Sequence, residues 1–144
     1  MTNKEKSLLL KDLCARLPYG VKVQYTSKLG ETIVKELRGS DIEVLYDGYH
    51  PERYKPYIRP MSSMTEEEHK EMRNKFGDCS AVEPGVGSSP WYNHPERDLK
   101  NVQFFFRRVP DIVDWLNQHH FDYRGLIKKE LALEAPEGMY NTKQ

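Results

Sequence analysis

The chain has 144 residues, and its 22 Lys and Arg balance 22 Asp and Glu, so no charge excess marks it for nucleic acid or a membrane surface. That length carries a sizeable core, which 11% aromatic residues help to fill despite a mean hydropathy of −0.80. No apolar run approaches the roughly 18 residues of a membrane helix, Leu8–Leu10 is too short for a signal-peptide core, and Cys14 and Cys79 alone make no disulfide framework, so a reduced cytoplasmic protein is expected.

Thr2 and Glu5 form a candidate capping box for a first helix. Leu9, Leu10, Leu13 and Leu17 give it an inward face, and Pro18 and Gly20 stop it. Val21, Val23 and Tyr25 alternate with Lys22 and Gln24, which predicts a strand. A turn at Leu29-Gly30 leads to a second strand over 32–37. A turn at Gly39-Ser40 leads to a third, in which Ile42, Val44 and Tyr46 alternate. Short turns between successive strands favour an antiparallel meander.

Prolines 51, 56 and 60 break the pattern, and residues 57–59 read as a short edge strand. Thr65 and Glu68 form a second capping box, for a helix that Gly77 ends. Its apolar face, Met64, Met72 and Phe76, is thin, so it is expected on the surface. Residues 77–101, rich in Gly and Pro, read as a long irregular loop. Val102, Phe104 and Phe106 alternate, with Phe105 between them, which predicts a last strand covered on both faces.

The richest helical rhythm lies over 109–133. Pro110 suits a first turn, and Ile112, Trp115, Leu116 and His119 share one face. Asp122 is placed to cap a further helix from Tyr123, with Leu126, Ile127 and Leu131 inward. The expected fold is therefore α+β. A small antiparallel sheet, a meander plus one or two further strands, packs with an N-terminal helix and a C-terminal helix pair. One domain over 1–135 and a flexible tail over 136–144 are expected.

The strings WLNQHHFDYRGLIKKELALEAPEGMY, LLLKDLCARLPYGVKV and KPYIRPMSSMTEEE resemble segments of small uncharacterised proteins of gut Bacteroides-type bacteria and their mobile elements or prophages. The resemblance touches the beginning, middle and end of the chain. It implies a bacterial, cytoplasmic or phage-linked setting and transfers no catalytic residue.

Catalytic patterns are missing from the sequence. Gly85-Val86-Gly87-Ser88-Ser89 lacks the lysine of a phosphate-binding loop. There is no G-x-S-x-G elbow, C-x-x-C or H-E-x-x-H. His119 and His120 are adjacent, so on a helix they point about 100° apart and do not share an ion. Cys79, His94 and one of that pair would need the fold to gather them. No metal, cofactor or catalytic residue is assigned, and an enzyme is the less favoured class.

The most suggestive surface lies in YDGYHPERYKPYIR, residues 46–59. Tyr46, Tyr49, Tyr54 and Tyr57 interleave with Arg53, Lys55 and Arg59. The run suits base stacking with phosphate pairing or anchoring to a protein partner. It equally suits tyrosines that cover a sheet edge and bond through their hydroxyls. His50-Pro51-Glu52-Arg53 recurs as His94-Pro95-Glu96-Arg97. Together these give a candidate binding surface of Tyr49, His50, Arg53, Tyr54, Tyr57, Arg59, Trp91, His94 and Arg97. The leading expectation is a non-enzymatic interaction or accessory protein with a protein partner. The alternative is a nucleic-acid-binding module using residues 46–59, against which the neutral net charge weighs.

Overall fold

The computed structural model describes residues 1–46, 50–76 and 99–140, of which 99–108 by backbone alone. Thr2 and Glu5 start the first helix as the sequence predicts. The Glu5 N–H donates to the Thr2 hydroxyl at 3.1 Å and the Thr2 N–H donates to the Glu5 carboxylate at 2.9 Å. Helix α1 then runs Asn3–Arg16 and ends in a 3-10 turn, Leu17–Tyr19, closed by Gly20. Gly20 sits at φ +70°, a left-handed backbone that favours glycine.

Strands β1, Lys22–Thr26, and β2, Thr32–Glu36, form the expected antiparallel hairpin, with Tyr25 opposite Ile33 and Val23 opposite Lys35. The Ser27 N–H donates to the Glu31 carbonyl at 2.8 Å, and Gly30, at φ +82°, closes the turn. Leu37 donates to the Val21 carbonyl at the other end.

The third expected strand is instead helix α2, Gly39–Tyr46. The Asp41 carboxylate accepts from the Arg38 N–H at 2.9 Å, half of a capping box that starts the helix. Asp41 and Leu45, one turn apart, point inward, while Val44 and Tyr46 are exposed. Three alternating residues were too few to separate the two periods, and the helix-start chemistry of Asp41 decides between them.

A 3-10 turn at Pro51–Arg53 leads to β3, Tyr54–Ile58, which begins three residues before the expected edge strand. It is not an edge strand, because the sheet order is β2-β1-β3-β4. Pro56 lies opposite Val23, whose own backbone groups turn toward β2, so no β1–β3 bond is lost at the proline. Strand β4, Leu133–Glu134, joins β3 in parallel, with Tyr57 opposite Leu133. The sheet is thus antiparallel except at this last pair.

One core cluster gathers Leu9 and Leu13 of α1, Leu45 of α2, Val21, Val23, Leu37 and Tyr54. A second gathers Ile58 with Leu126, Leu131 and Ala132. Each such aliphatic side chain contributes roughly 1.5–3 kcal/mol on burial.

Residues 121–132 supply that second cluster without the helix expected from Tyr123. Asp122 does cap, but its carboxylate accepts from the N–H groups of Leu126 and Ile127, at 2.8 and 3.0 Å. Gly125 and Glu130 take left-handed φ values of 73° and 61°, which a helix interior does not hold. The side chain thus closes turns in place of helical bonds.

The last expected strand, over residues 102–106, is also helical. It forms the first half of α4, Leu99–Gln118, which carries Pro110 in its interior. An aromatic run with no clean period reads equally as a strand or as a helix segment.

Contacts divide the chain into two units, Met1–Pro60 with Asn117–Gln144, and Met61–Leu116. Within the second, α3 spans Glu66–Phe76 and starts with the predicted Thr65–Glu68 capping box. It lies on the surface as its thin apolar face implies, with Met72 fully buried, Glu68 nearly so, and the opposite face open to solvent. Ile112, Trp115 and Leu116 of α4 are buried as expected, and the Trp115 indole N–H donates to Glu71 at 3.2 Å.

The expected flexible tail belongs, as far as Tyr140, to the first unit. The Tyr140 hydroxyl accepts from the Lys22 N–H at 2.9 Å and donates to the Tyr57 carbonyl at 2.6 Å. An α+β chain with four α-helices and one four-stranded sheet is therefore seen among the described residues.

Candidate functional site

The pairing of β1 with β3 decides where the tyrosine–arginine segment goes. Tyr25 stands opposite Tyr54, with ring centroids 5.0 Å apart. Lys35 lies over both rings, at 5.1 and 5.7 Å from their centroids, and its ammonium meets Asp41 at 2.7 Å. The Tyr54 hydroxyl donates to Asp41 at 3.3 Å. Burial, followed by the Asp41 charge, pushes the Tyr54 hydroxyl up to about 12. Burial would raise Asp41, but Lys35 and the Arg38 N–H outweigh it and hold the carboxyl below its usual range.

His50 enters the Pro51–Arg53 turn in the left-handed region, at φ 48°, and its Nδ1 lies 3.0 Å from Glu52. That turn brings His50 and Arg53 beside Tyr54. Together with Tyr25, Lys28 and Val44 they line a cleft of about 210 Å³. The lining joins the aromatic and aliphatic side chains of Tyr25, Tyr54 and Val44 to Lys28, His50 and Arg53. Three of the residues singled out in the sequence thus converge. Tyr25, Lys28 and Val44 were missed, because only long-range strand pairing and the helical form of α2 bring them there.

Other candidates lie elsewhere. Tyr57 is three residues from Tyr54 and so on the opposite face of β3, where its hydroxyl is 3.5 Å from Gln24 Nε2. Arg59 spreads its guanidinium over the Phe121 ring at 4.2 Å and reaches the His119 carbonyl at 3.4 Å. Tyr46 is exposed at the end of α2. Tyr49, Trp91, His94 and Arg97 lie outside the described residues, as do Cys79 and the second His-Pro-Glu-Arg string. Cys14 of α1 is an exposed free thiol. Among the described residues no group of three His, Cys, Asp or Glu is placed to hold a metal, and no helix is long and apolar enough to cross a membrane.

A second polar cluster went unnoticed in the sequence. Asp12, fully buried, accepts from Arg16 Nε at 2.8 Å and from Arg124 at 2.9 Å. Arg16 is also fully buried, donates through Nη2 to the Phe121 carbonyl, and leaves Nη1 without a partner. The signal was present: Leu9, Asp12, Leu13 and Arg16 follow the i, i+3, i+4, i+7 spacing of one buried face.

No protein-family model, curated protein or solved structure matches this chain.

Proposed function

We propose that the chain is a non-enzymatic interaction module that receives a protein partner at the cleft of Tyr25, Lys28, Val44, His50, Arg53 and Tyr54. The observation that carries this reading is the joining of aromatic and aliphatic side chains to Lys28 and Arg53 in about 210 Å³. Small-molecule sites run to roughly 300–1,000 Å³. The cleft therefore suits one or two side chains of a docked protein better than a whole nucleotide. Lys28 and Arg53 in its lining select a partner segment in which an aromatic or aliphatic residue stands next to carboxylates. The nucleic-acid alternative fares worse, because a stacking platform needs several open rings on one face. Tyr54 is buried under Lys35, Tyr57 is on the opposite face, and Arg59 packs on Phe121.

The test is titration of the labelled chain with short peptides that carry one Phe or Trp flanked by Glu, followed by amide shifts. Shifts centred on Val44, His50 and Arg53, weakened several-fold when Gln replaces Glu, are the expected result. Shifts at these residues with a single-stranded oligonucleotide and none with any peptide would overturn it.

A further inference from the structure

Strand β2 is an end strand of the sheet, and among the described residues no strand lies beyond it. It carries Ile33 at 53% and Val34 at 55% exposure, with no proline to blunt the edge. The hairpin tip beside it exposes Leu29 at 86%. An open edge with exposed apolar residues is a template for another strand.

The backbone hydrogen bonds of the hairpin fix which groups are on offer. Ser27 donates to Glu31 and Leu37 donates to Val21. Residues 31, 33, 35 and 37 therefore turn their backbone groups toward β1, and Thr32, Val34 and Glu36 turn theirs outward. A second antiparallel β2 bonds only through outward-turned residues, so even-numbered positions must face even-numbered ones. That leaves few two-fold registers. Pairing about Val34 sets Ile33 against Lys35. Pairing about Thr32 sets Glu31 against Ile33. Pairing about Ile33 sets Ile33 against itself, Thr32 against Val34, and Glu31 against Lys35 in both directions. The sequence of this edge thus complements itself in apolar contact and in charge in one register.

We propose that β2 pairs with β2 of a second copy, antiparallel about Ile33, to make a continuous eight-stranded sheet. The two Ile33 side chains meet as a non-hydrogen-bonded pair, the closer of the two cross-strand arrangements. Their face is that of Tyr25 and Val23, so the contact extends the existing core. The Glu31 carboxylate of each copy joins the Lys35–Asp41 pair of the other, using an ammonium that has three donors. A contact built on one strand is small, which makes the dimer weak and concentration-dependent. It uses none of the six cleft-lining residues but adjoins them through Lys35, which lies over Tyr25 and Tyr54.

Sedimentation equilibrium of the full chain over a wide concentration range tests this. The mass is expected to rise from 16.9 kDa toward twice that value. Val34→Pro removes an outward N–H that β1 does not use and should keep the chain monomeric. Glu31→Lys, an exposed change that leaves the fold intact, should weaken dimerisation about tenfold by setting like charges opposite. In a Cys14→Ser, Cys79→Ser background, Ile33→Cys should oxidise readily to a covalent dimer, because its Cα faces its own copy within disulfide range. Val34→Cys faces Thr32 and should not. A chain that stays monomeric at every concentration overturns the proposal, as does a dimer insensitive to Glu31→Lys. Cross-linking as fast through Val34→Cys as through Ile33→Cys overturns the register and with it the proposed pairing.

Discussion

The ring of Tyr140 lies flat against that of His120, with centroids 3.7 Å apart and planes 17° from parallel. This contact holds the end of the described chain on the sheet. His120 itself is buried, takes a left-handed φ of 62°, and has no partner at Nδ1. Burial first, then the charge of Arg16, pulls its pKa down to about 4. The neutral ring is the folded form.

That depression sets a pH dependence. Between about pH 6.5 and 4 the unfolded chain binds a proton at this histidine that the folded chain refuses. The contribution is therefore complete above about pH 6.5 and is lost as pH falls toward 4, by roughly 3 kcal/mol. Denaturant unfolding at pH 7, 6 and 5 should show stability falling steadily. His120→Asn, which tolerates the left-handed backbone, should flatten the fall between pH 6.5 and 5, where carboxylates are still ionised. An unchanged slope in that variant would place the titrating group elsewhere.

Tyr140 offers a separate test, because its hydroxyl bonds the backbone of β1 and β3 at once. Tyr140→Phe keeps the ring on His120 but strands the Lys22 N–H and the Tyr57 carbonyl, each costing about 1–3 kcal/mol if water does not reach it. Burial pushes the Tyr140 hydroxyl up to about 12, as it does that of Tyr54. The contribution of each is present below about pH 10 and lost as pH rises toward 12, since the unfolded phenol ionises first. Alkaline unfolding should shift for Tyr140→Phe relative to the parent. Faster amide exchange at Lys22 in the same variant would report the lost bond directly.

The buried Asp12 should be among the least replaceable residues of α1. It sits between Arg16 and Arg124, and removing it leaves Arg16 charged and without its carboxylate in the interior. Asp12→Ala is expected to cost about 3–5 kcal/mol by chemical denaturation. Replacing both members, Asp12→Leu with Arg16→Met, should cost less than the single change, because no unpaired charge remains buried at that pair. A double variant worse than the single one would show that Arg16 is needed for its bond to the Phe121 carbonyl rather than for its charge.

What could be read from the sequence follows from how local each signal is. Thr2 with Glu5 and Thr65 with Glu68 announce their helices because both partners of each capping box lie within one turn. The β1–β2 hairpin is legible because Gly30 and the alternation at Val21, Val23 and Tyr25 agree. Helix α2 was hidden because Ile42, Val44 and Tyr46 fit two periods, and the residue that separates them, Leu45, is silent until packed. The Asp122 signal was real, but Gly125 turned it to a different use. In the cleft, His50, Arg53 and Tyr54 were within reach of sequence reasoning because they are neighbours in the chain. Tyr25 joins them only through the β1–β3 pairing, which no local pattern specifies.

The strongest apolar rhythm of the chain centres on Trp115. Trp115 is almost wholly buried with Ile112 and Leu116, and its indole N–H meets Glu71, which also holds Lys75 at 2.9 Å. Trp115→Ala removes the largest side chain of this face and should cost about 3–5 kcal/mol. Trp115→Phe keeps most of the volume and loses the hydrogen bond, so its cost should be nearer 1–2 kcal/mol. Glu71→Gln keeps an acceptor for the indole while discarding the charge, and should cost under about 1 kcal/mol because the pair with Lys75 is partly exposed. Thermal melts of the three variants should therefore rank Trp115→Ala well below Trp115→Phe, with Glu71→Gln close to the parent. A Trp115→Ala chain that melts with the parent would refute the role assigned to this side chain in the core.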